Sequence, residues 1–294
     1  MLAALPLALP AQSLAVQRDG EWVRWWDRSA QPARWASPLS EMADAVQWRI
    51  ASTGVEWGEL TLSGAGEAWR IRVILVRIDP SAVRFEMMVP PRRANGFAGR
   101  WTVDEAPRDA LVAFNAGQFT SGPWGWLVTG GVLRQPAGTG PFAPGVAINA
   151  AGEVRLVPRD SLAPLTAVGW AFRPSPAQWR RAGVVLPALR TPGAGVDLTH
   201  RDSRLAFGLL RDGRVLLALT RFEGLGGVLE VVPFGFTTPE MAAIMGALGA
   251  SRAVLLDGGI SGQLMVRDQG RTREWNGLRG VAAGMVVKAR VAAR

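Results

Sequence analysis

The amino-acid sequence predicts an α+β fold: a β-rich mixed sheet with few helices. Three observations support this prediction. Short apolar segments recur between residues 55 and 288, and glycine or proline separates most of them. Polar and apolar residues alternate within 69–78, as they do in a strand with one buried face. Only about one residue in six lies in a segment with helical features, against the usual third.

The strands are predicted from apolar segments bounded by turn residues. A hairpin is expected where 59–62 leads through Ser63-Gly64-Ala65-Gly66 into 69–78. A second is expected around Asp212-Gly213, because Asp-Gly is favoured in two-residue hairpin turns. The predicted strands are 59–62, 69–78, 83–89, 110–115, 125–129, 145–149, 153–157, 166–171, 204–210, 214–220, 254–257, 263–267 and 281–288.

One helix has clear end signals in the sequence, at 239–248. Thr238 is a suitable N-cap, Pro239 suits the first helical position, and Glu240 in the first turn complements the helix dipole. Gly249 is the expected residue after the last turn. Two shorter helices are predicted at 38–47 and 176–182.

The sequence divides into three parts. Residues 1–16 are apolar and end in small residues, so they are predicted to be a signal peptide or an unstructured N-terminus. Residues 17–54 form a Trp-rich N-terminal extension, and 55–290 form the main domain. No run of about 18 apolar residues predicts a membrane span. Because residues 1–16 resemble a signal peptide, we expect a bacterial protein that is periplasmic or extracellular, with the cytoplasm as the alternative.

Tryptophan is concentrated near the start of the chain. We interpret these residues as packing residues, with a sugar-stacking surface as the alternative interpretation. The early tryptophans are Trp22, Trp25, Trp26, Trp35, Trp48, Trp57 and Trp69.

The composition excludes several kinds of chemistry. The chain has no Cys, which removes thiol nucleophiles, disulfides and thiolate metal sites, and His200 is its single His. No spacing of carboxylates predicts a metal site, and no cofactor is expected. The net charge of +9 comes almost entirely from Arg. These Arg residues are dispersed along the chain, so we do not expect nucleic-acid binding. The sequence does not predict the oligomeric state.

Three polar clusters are candidates for a functional site. In the first, an apolar segment ends at Asp257 and is followed by Gly258-Gly259, where either a ligand approaches the backbone closely or the chain only makes a tight turn. The second is a similar strand that ends at Asn115; a buried amide there either ties down a loop or faces a ligand. The third is the polar run 197–204, which contains His200 and ends in Arg204; it is either an anion-binding site or a surface loop of ion pairs.

In order and spacing these clusters resemble the phosphodiester glycosidase family. The resemblance covers about 55–287, and Leu256-Asp257-Gly258-Gly259 is its most specific part. Four positions depart from the family pattern, namely Gln118, Leu205, Ile260 and Gly262. The matching segments are Asn115 to Phe119, Arg204-Leu205-Ala206-Phe207-Gly208, Asp212-Gly213-Arg214, Thr237-Thr238-Pro239-Glu240-Met241 and Leu256 to Gly262.

The resemblance implies a phosphodiester-glycosidase-like fold and a hydrolase that cleaves the glycosidic bond of a sugar phosphodiester in an envelope or extracellular glycan. Asp257 is then the key carboxylate, Glu240 a candidate second carboxylate and His200 a candidate acid or base. The implied partner is a carbohydrate or sugar-phosphate substrate. The residues implied in substrate binding are Asn115, Gly117, Gln118, Arg204, Gly258, Gly259 and Ser261.

The departures Ile260 and Gly262 keep an alternative open. In that alternative the protein is a non-catalytic envelope protein that binds a polysaccharide or an anionic polymer through the same pocket. A further alternative is hydrolysis of a glycan that carries no phosphate.

Overall fold

A computed structural model describes most of the predicted domain. The predicted strand 166–171, the predicted helix 176–182, Gln118 and residues 1–12 lie outside the described residues. The described residues are 13–27, 36–91, 99–117, 119, 127–129, 132–135, 145–148, 153–157, 199–224, 230 and 232–290.

The described residues contain many strands and two α-helices. The helices are α1 (Ser40–Asp44) and α2 (Thr238–Ala247). The strands are β1 (Ser13–Arg18), β2 (Glu21–Asp27), β3 (Arg49–Ser52), β4 (Val55–Ser63), β5 (Ile71–Ile78), β6 (Val83–Met88), β7 (Ala110–Asn115), β8 (Leu127–Thr129), β9 (Val132–Gln135), β10 (Gly145–Ile148), β11 (Val154–Val157), β12 (Leu205–Leu210), β13 (Val215–Phe222), β14 (Ala250–Leu255), β15 (Leu264–Asp268), β16 (Arg271–Trp275) and β17 (Gly284–Ala289).

Two sheets account for most of these strands. The large sheet has the order β14-β12-β13-β5-β4-β1-β2, and β3 pairs with β4 as well. The small sheet has the order β16-β15-β7-β17-β6, and β8-β9 and β10-β11 form separate pairs. The predicted β-rich α+β fold with few helices is therefore confirmed.

Every strand pair among the described residues is antiparallel, whereas a mixed sheet was expected. The reason lies in the connection through α2. It leads from β13 to β14, which run in the same direction, but β12 lies between them and is antiparallel to both. The crossover therefore brings no two parallel strands side by side.

Side chains that alternate along β4 and β5 build a core on each face of the large sheet. On one face, Trp57 and Val76 pack with Phe114 of the small sheet, so this core joins the two sheets. On the other face, Leu62 and Val73 belong to the core that includes residues of α2. The protein thus has a helix layer, a large sheet and a small sheet, stabilised by apolar side chains removed from water.

Helix α2 is buried on all sides, since all ten of its residues have little contact with solvent. It begins one residue earlier than predicted, and its N-cap is Thr237 rather than Thr238. The side chains of Thr237 and Glu240 form a reciprocal capping box, which satisfies backbone N–H groups at the start of the helix. Helix α1 is shorter than the predicted 38–47.

The N-terminal part of the chain takes part in the large sheet. Val16 of β1 pairs with Leu62 of β4, and β3 pairs with the start of the same strand. Residues 13–16 of the predicted leader lie in β1 and are buried, as is Trp26 of β2. The extension predicted at 17–54 therefore contributes β2, β3 and part of β1 to the sheet of the main domain.

Candidate active site

The candidate site lies where β14 and β7 end and β12 begins. After β14 the chain continues to Asp257 and Gly258, and a 3-10 turn follows at Gly259–Ser261. Gly259 has φ of +58°, and a Cβ atom there would lie 2.8 Å from Oδ2 of Asp202. A Cβ atom at Gly258 would lie 2.4 Å from the backbone oxygen of Ser203. Both glycines are needed for the turn to pack directly against the segment before β12.

Asp257 is the most strongly perturbed carboxyl group of this turn. Asp257 is 8% exposed, and its Oδ2 atom has no hydrogen-bond partner among the described residues. Burial raises the pKa of Asp257 to about 6, and the negative charge of Asp202 adds to the effect. The hydroxyl of Ser261 and the charge of Arg279 act in the opposite direction. Near neutral pH, Asp257 can therefore exchange a proton with a ligand.

Asn115 connects the end of β7 to the Asp257 turn. Its Nδ2 donates to the backbone oxygen of Asp257 at 2.5 Å, and its Oδ1 accepts from the backbone nitrogen of Gln263 at 2.9 Å. The residue is 0% exposed. Of the two interpretations left open by the sequence, the geometry matches the one in which the amide ties down the loop.

The polar run before β12 brings a second carboxylate to the turn. Asp202 Oδ2 lies 3.6 Å from Nε2 of His200, whose side chain is 62% exposed. Burial raises the pKa of Asp202, whereas the charges of Arg204 and His200 oppose this shift. Asp202 was not among the residues predicted from the sequence. Its only sequence signal is its place in the polar run, two residues before Arg204.

Arg204 is held by backbone oxygens of the neighbouring loops. Its Nε donates to Phe236 at 2.9 Å, and its Nη2 donates to His200 at 2.6 Å. Burial lowers the pKa of Arg204, and the carboxylates of Asp202 and Glu240 counteract this effect. The guanidinium is therefore fixed near Asp202 and Glu240, and its Nη1 donates to no described residue.

Glu240 lies behind this site and has both carboxylate oxygens engaged. They accept from the two terminal nitrogens of Arg201 at 2.7 and 2.8 Å. One of them also accepts from the backbone nitrogen of Thr237 at 2.8 Å. The structure therefore assigns Glu240 an ion pair and the cap of α2, and it does not bring this carboxylate to the Asp257 turn.

Ser261 and Arg279 close the other side of the turn. Arg279 Nε donates to Ser261 Oγ at 2.9 Å, and its guanidinium lies over the Phe119 ring, 4.8 Å from the ring centre. No described residue accepts a hydrogen bond from Nη1 or Nη2 of Arg279. Sequence reasoning missed this residue because nothing local marks it. Gly117, by contrast, is exposed, with no atom within 4 Å of a Cβ position there.

Arg221 joins the two sheets beneath the site. It is 3% exposed, and its Nη1 donates to Ser203 Oγ at 3.0 Å. Its Nη2 donates to the backbone oxygens of Gly262 and, at 3.3 Å, Trp275. Burial lowers the pKa of Arg221 to about 10, so the side chain stays charged at neutral pH. It fixes the start of β12 against the turn that carries Asp257.

Two features are absent from the described part of the chain. Within it, no group of three or more His, Cys, Asp or Glu residues is arranged to hold a metal ion. None of its helices combines the length and the apolar character needed to span a membrane.

Comparison with solved structures identifies related folds. A predicted exported protein of Burkholderia pseudomallei K96243 aligns with a TM-score of 0.57 and 15% identity, covering 87% of this chain and 99% of that one. The catalytic domain of zebrafish N-acetylglucosamine-1-phosphodiester α-N-acetylglucosaminidase, auto-inhibited by its pro-peptide, aligns with a TM-score of 0.54 and 17% identity, covering 87% of each chain.

A hypothetical protein from Synechocystis aligns with a TM-score of 0.48 and 18% identity, and the alignment covers 83% of this chain and 64% of that one. No curated protein sequence gives a significant match.

The family model for phosphodiester glycosidases matches residues 108–288, which is more than half of the chain and contains every candidate residue described above. The chain therefore belongs to the phosphodiester glycosidase family.

Proposed function

We propose that the protein is a hydrolase that cleaves the glycosidic bond of a sugar phosphodiester. One observation carries this proposal: Asp257 is a buried carboxyl group whose pKa is raised to about 6 and whose Oδ2 has no partner among the described residues. The guanidinium of Arg279 acts on this carboxyl group directly, and that of Arg204 lies near Asp202, which faces the same turn. A titrating carboxyl group beside fixed cations suits a reaction that releases a phosphate.

The leaving group explains why one such carboxyl group is enough. Cleavage at the sugar carbon releases a phosphate monoester, whose second pKa is about 6, so it departs with little protonation. In our proposal a water molecule attacks the anomeric carbon, and the electron pair of the broken bond leaves on the phosphate oxygen. The proton of the water passes to the Asp257 carboxylate.

The cations take complementary roles in this proposal. Arg279 has both terminal nitrogens free of described partners, so it can bind two phosphate oxygens at once. Arg204 supplies a second positive charge from a half-buried position near Asp202. Burial is the main cause of the raised pKa of Asp257, and the negative charge of Asp202, which faces the turn, adds a smaller effect. Asn115 and Ser261 orient Asp257 and Arg279 respectively. His200, exposed at the rim beside Asp202, remains a candidate acid or base.

The test is the release of sugar from a panel of glycosyl phosphodiesters, with matched ordinary glycosides as the comparison. We expect turnover of the phosphodiesters only, and we expect Asp257→Asn to reduce kcat by about 10²- to 10⁴-fold. Asp19→Asn is the matched control, because Asp19 is exposed in the β1-β2 turn and its replacement removes one negative charge, as Asp257→Asn does. Unchanged turnover by Asp257→Asn contradicts the assignment of this residue.

A second candidate function is binding without cleavage. Ile260 replaces a family glycine, and its side chain is 40% exposed at the turn, where an apolar surface favours contact with a sugar ring. This candidate predicts saturable binding of an envelope polysaccharide by both wild type and Asp257→Asn, and no new reducing ends. Cleavage that depends on Asp257 contradicts it.

We also propose that the protein is exported. The apolar residues 1–12 support this proposal, and β1 begins directly after them at Ser13. Fractionation of cells followed by N-terminal sequencing tests it. We expect a mature N-terminus close to Ser13, which leaves the buried residues of β1 in place. An intact Met1 in the cytoplasmic fraction contradicts export.

A further inference from the structure

A notch interrupts one edge of the large sheet. Strand β5 pairs along 55–62 of β4 and so occupies one edge of that strand. On the other edge, β3 pairs with 55–57 and β1 pairs with 62–63. Residues 58–61 therefore have a neighbouring strand on one side only. A cavity with a volume of about 290 Å³ lies at this notch.

The cavity has a polar lining with an uneven distribution of charge. Three of its charged residues are already paired: Arg72 with Glu59 at 3.9 Å, and Glu223 with Arg70 outside the cavity at 3.2 Å. Arg49 forms no ion pair with any carboxylate among the described residues. Its guanidinium lies over the ring of Trp57, 5.1 Å from the ring centre.

This lining determines the kind of ligand that fits. Carboxylates, glutamines and the edge of β4 can exchange hydrogen bonds with hydroxyl groups, which donate and accept alike. The unpaired charge of Arg49 favours one negative charge on the same ligand. The Trp57 ring beneath this guanidinium favours its position at the cavity before a ligand arrives.

The cavity lies at the same end of the large sheet as the candidate active site. Arg221 pairs in register with Arg72, and Arg72 pairs with Thr61 at the cavity, so these side chains are neighbours on one face. Arg221 in turn donates to Ser203, whose backbone oxygen accepts from Gly259. Since adjacent strands lie about 4.8 Å apart, the row from Ser203 to Thr61 spans about 14 Å.

We propose that the notch between β1 and β3 is a binding site for a sugar unit that carries one negative charge, such as a sugar phosphate or a uronate. Binding at the notch does not depend on the proposed function. Its use does: if the protein cleaves glycosyl phosphodiesters, the notch holds a charged sugar unit of a long substrate, beyond the row of about 14 Å that separates Ser203 from Thr61.

Binding is measured by titration calorimetry on the full-length Asp257→Asn protein, which separates binding from cleavage. The probes are glucose 6-phosphate, glucuronate and glucose at low ionic strength. We expect both anions to bind and Arg49→Gln to weaken them about tenfold, the loss of one charge-assisted hydrogen bond. Arg24→Gln on β2, also an exposed Arg near this edge, is the control and is expected to bind as wild type does.

The outcomes are distinct. If only one anion binds, that arm identifies phosphate or carboxylate as the recognised group. Glucose binding as tightly as the anions, no binding of either anion at millimolar concentration, or equal binding by Arg49→Gln overturns the proposal. With an active enzyme, Arg49→Gln is expected to raise KM for a long charged substrate and to leave kcat unchanged. Failure of catalysis alone leaves the binding result intact.

Discussion

The raised pKa of Asp257 predicts that this residue reduces the stability of the folded protein at neutral and alkaline pH. The pKa changes from 3.8 for the ordinary group to about 6 in the folded protein. A group whose pKa is raised by folding favours the folded state fully at pH below the lower value. That contribution is lost as pH rises through the higher value.

The magnitude follows from the size of the shift. One pKa unit corresponds to about 1.4 kcal/mol, so a shift of about two units amounts to about 3 kcal/mol at full ionisation. The resulting decrease in the free energy of unfolding is below about 1 kcal/mol near pH 4 and approaches about 3 kcal/mol near pH 8. Replacing Asp257 with Asn removes the ionisation and keeps the shape. The variant is therefore expected to be more stable than wild type at high pH while losing activity.

Thermal unfolding of wild type, Asp257→Asn and the control Asp19→Asn across this pH range tests the reasoning. We expect Asp257→Asn to have a Tm roughly 4–8 °C above wild type near pH 8 and close to wild type near pH 4. The control is expected to follow wild type throughout. A Tm difference that does not grow with pH, or a variant less stable near pH 8, refutes the argument that burial perturbs this carboxyl group.

Three further predictions concern the surroundings of Asp257. Asp202→Asn removes a negative charge that raises the pKa of Asp257, so the acidic limb of the pH profile of kcat/KM is expected to move to lower pH; an unmoved limb contradicts this coupling. Glu240→Gln breaks an ion pair, so we expect the free energy of unfolding, measured with urea, to fall by about 1–3 kcal/mol. We expect its loss of kcat to be smaller than that of Asp257→Asn; a larger loss of kcat would make Glu240 the reacting carboxylate. Gly259→Ala is expected to cost about 1–3 kcal/mol because of its positive φ and its contact with Asp202, whereas the exposed Gly117→Ala is expected to cost little; equal effects contradict the close packing of the turn.

The sequence was sufficient to predict the features that depend on local patterns. The β4-β5 hairpin, the Asp212-Gly213 turn and α2 all follow from alternation, turn residues and helix caps, and the structure confirms them. The exposed, polar β16 gives no such signal, and it was not predicted. Its strand state depends on pairing with β15, a tertiary contact that alternation within one segment does not reveal.

The same limit applies to the site. The local pattern of a buried strand followed by two glycines marks Asp257 as a candidate, and the family resemblance gives it the role of key carboxylate. Asp202 and Arg279 were missed because their importance arises from contacts between segments that are distant in the chain. Glu240 is predicted either as a second carboxylate or as a residue that serves only the helix N-terminus, and the structure matches the second role. The sequence gives no indication that Arg201 occupies both of its oxygens.

The order of strands in the two sheets has a consequence for how the protein folds. The central strand β13 pairs with β5, and β17 pairs with β6, although more than a hundred residues separate the partners. Strands β5 and β6 leave the ribosome long before β13 and β17 exist, so their edges stay open during synthesis. Such non-local pairing makes folding slow and leaves a period in which these edges can associate with other chains. Recovery of activity after dilution from denaturant is therefore expected to lag behind the formation of the β4-β5 hairpin.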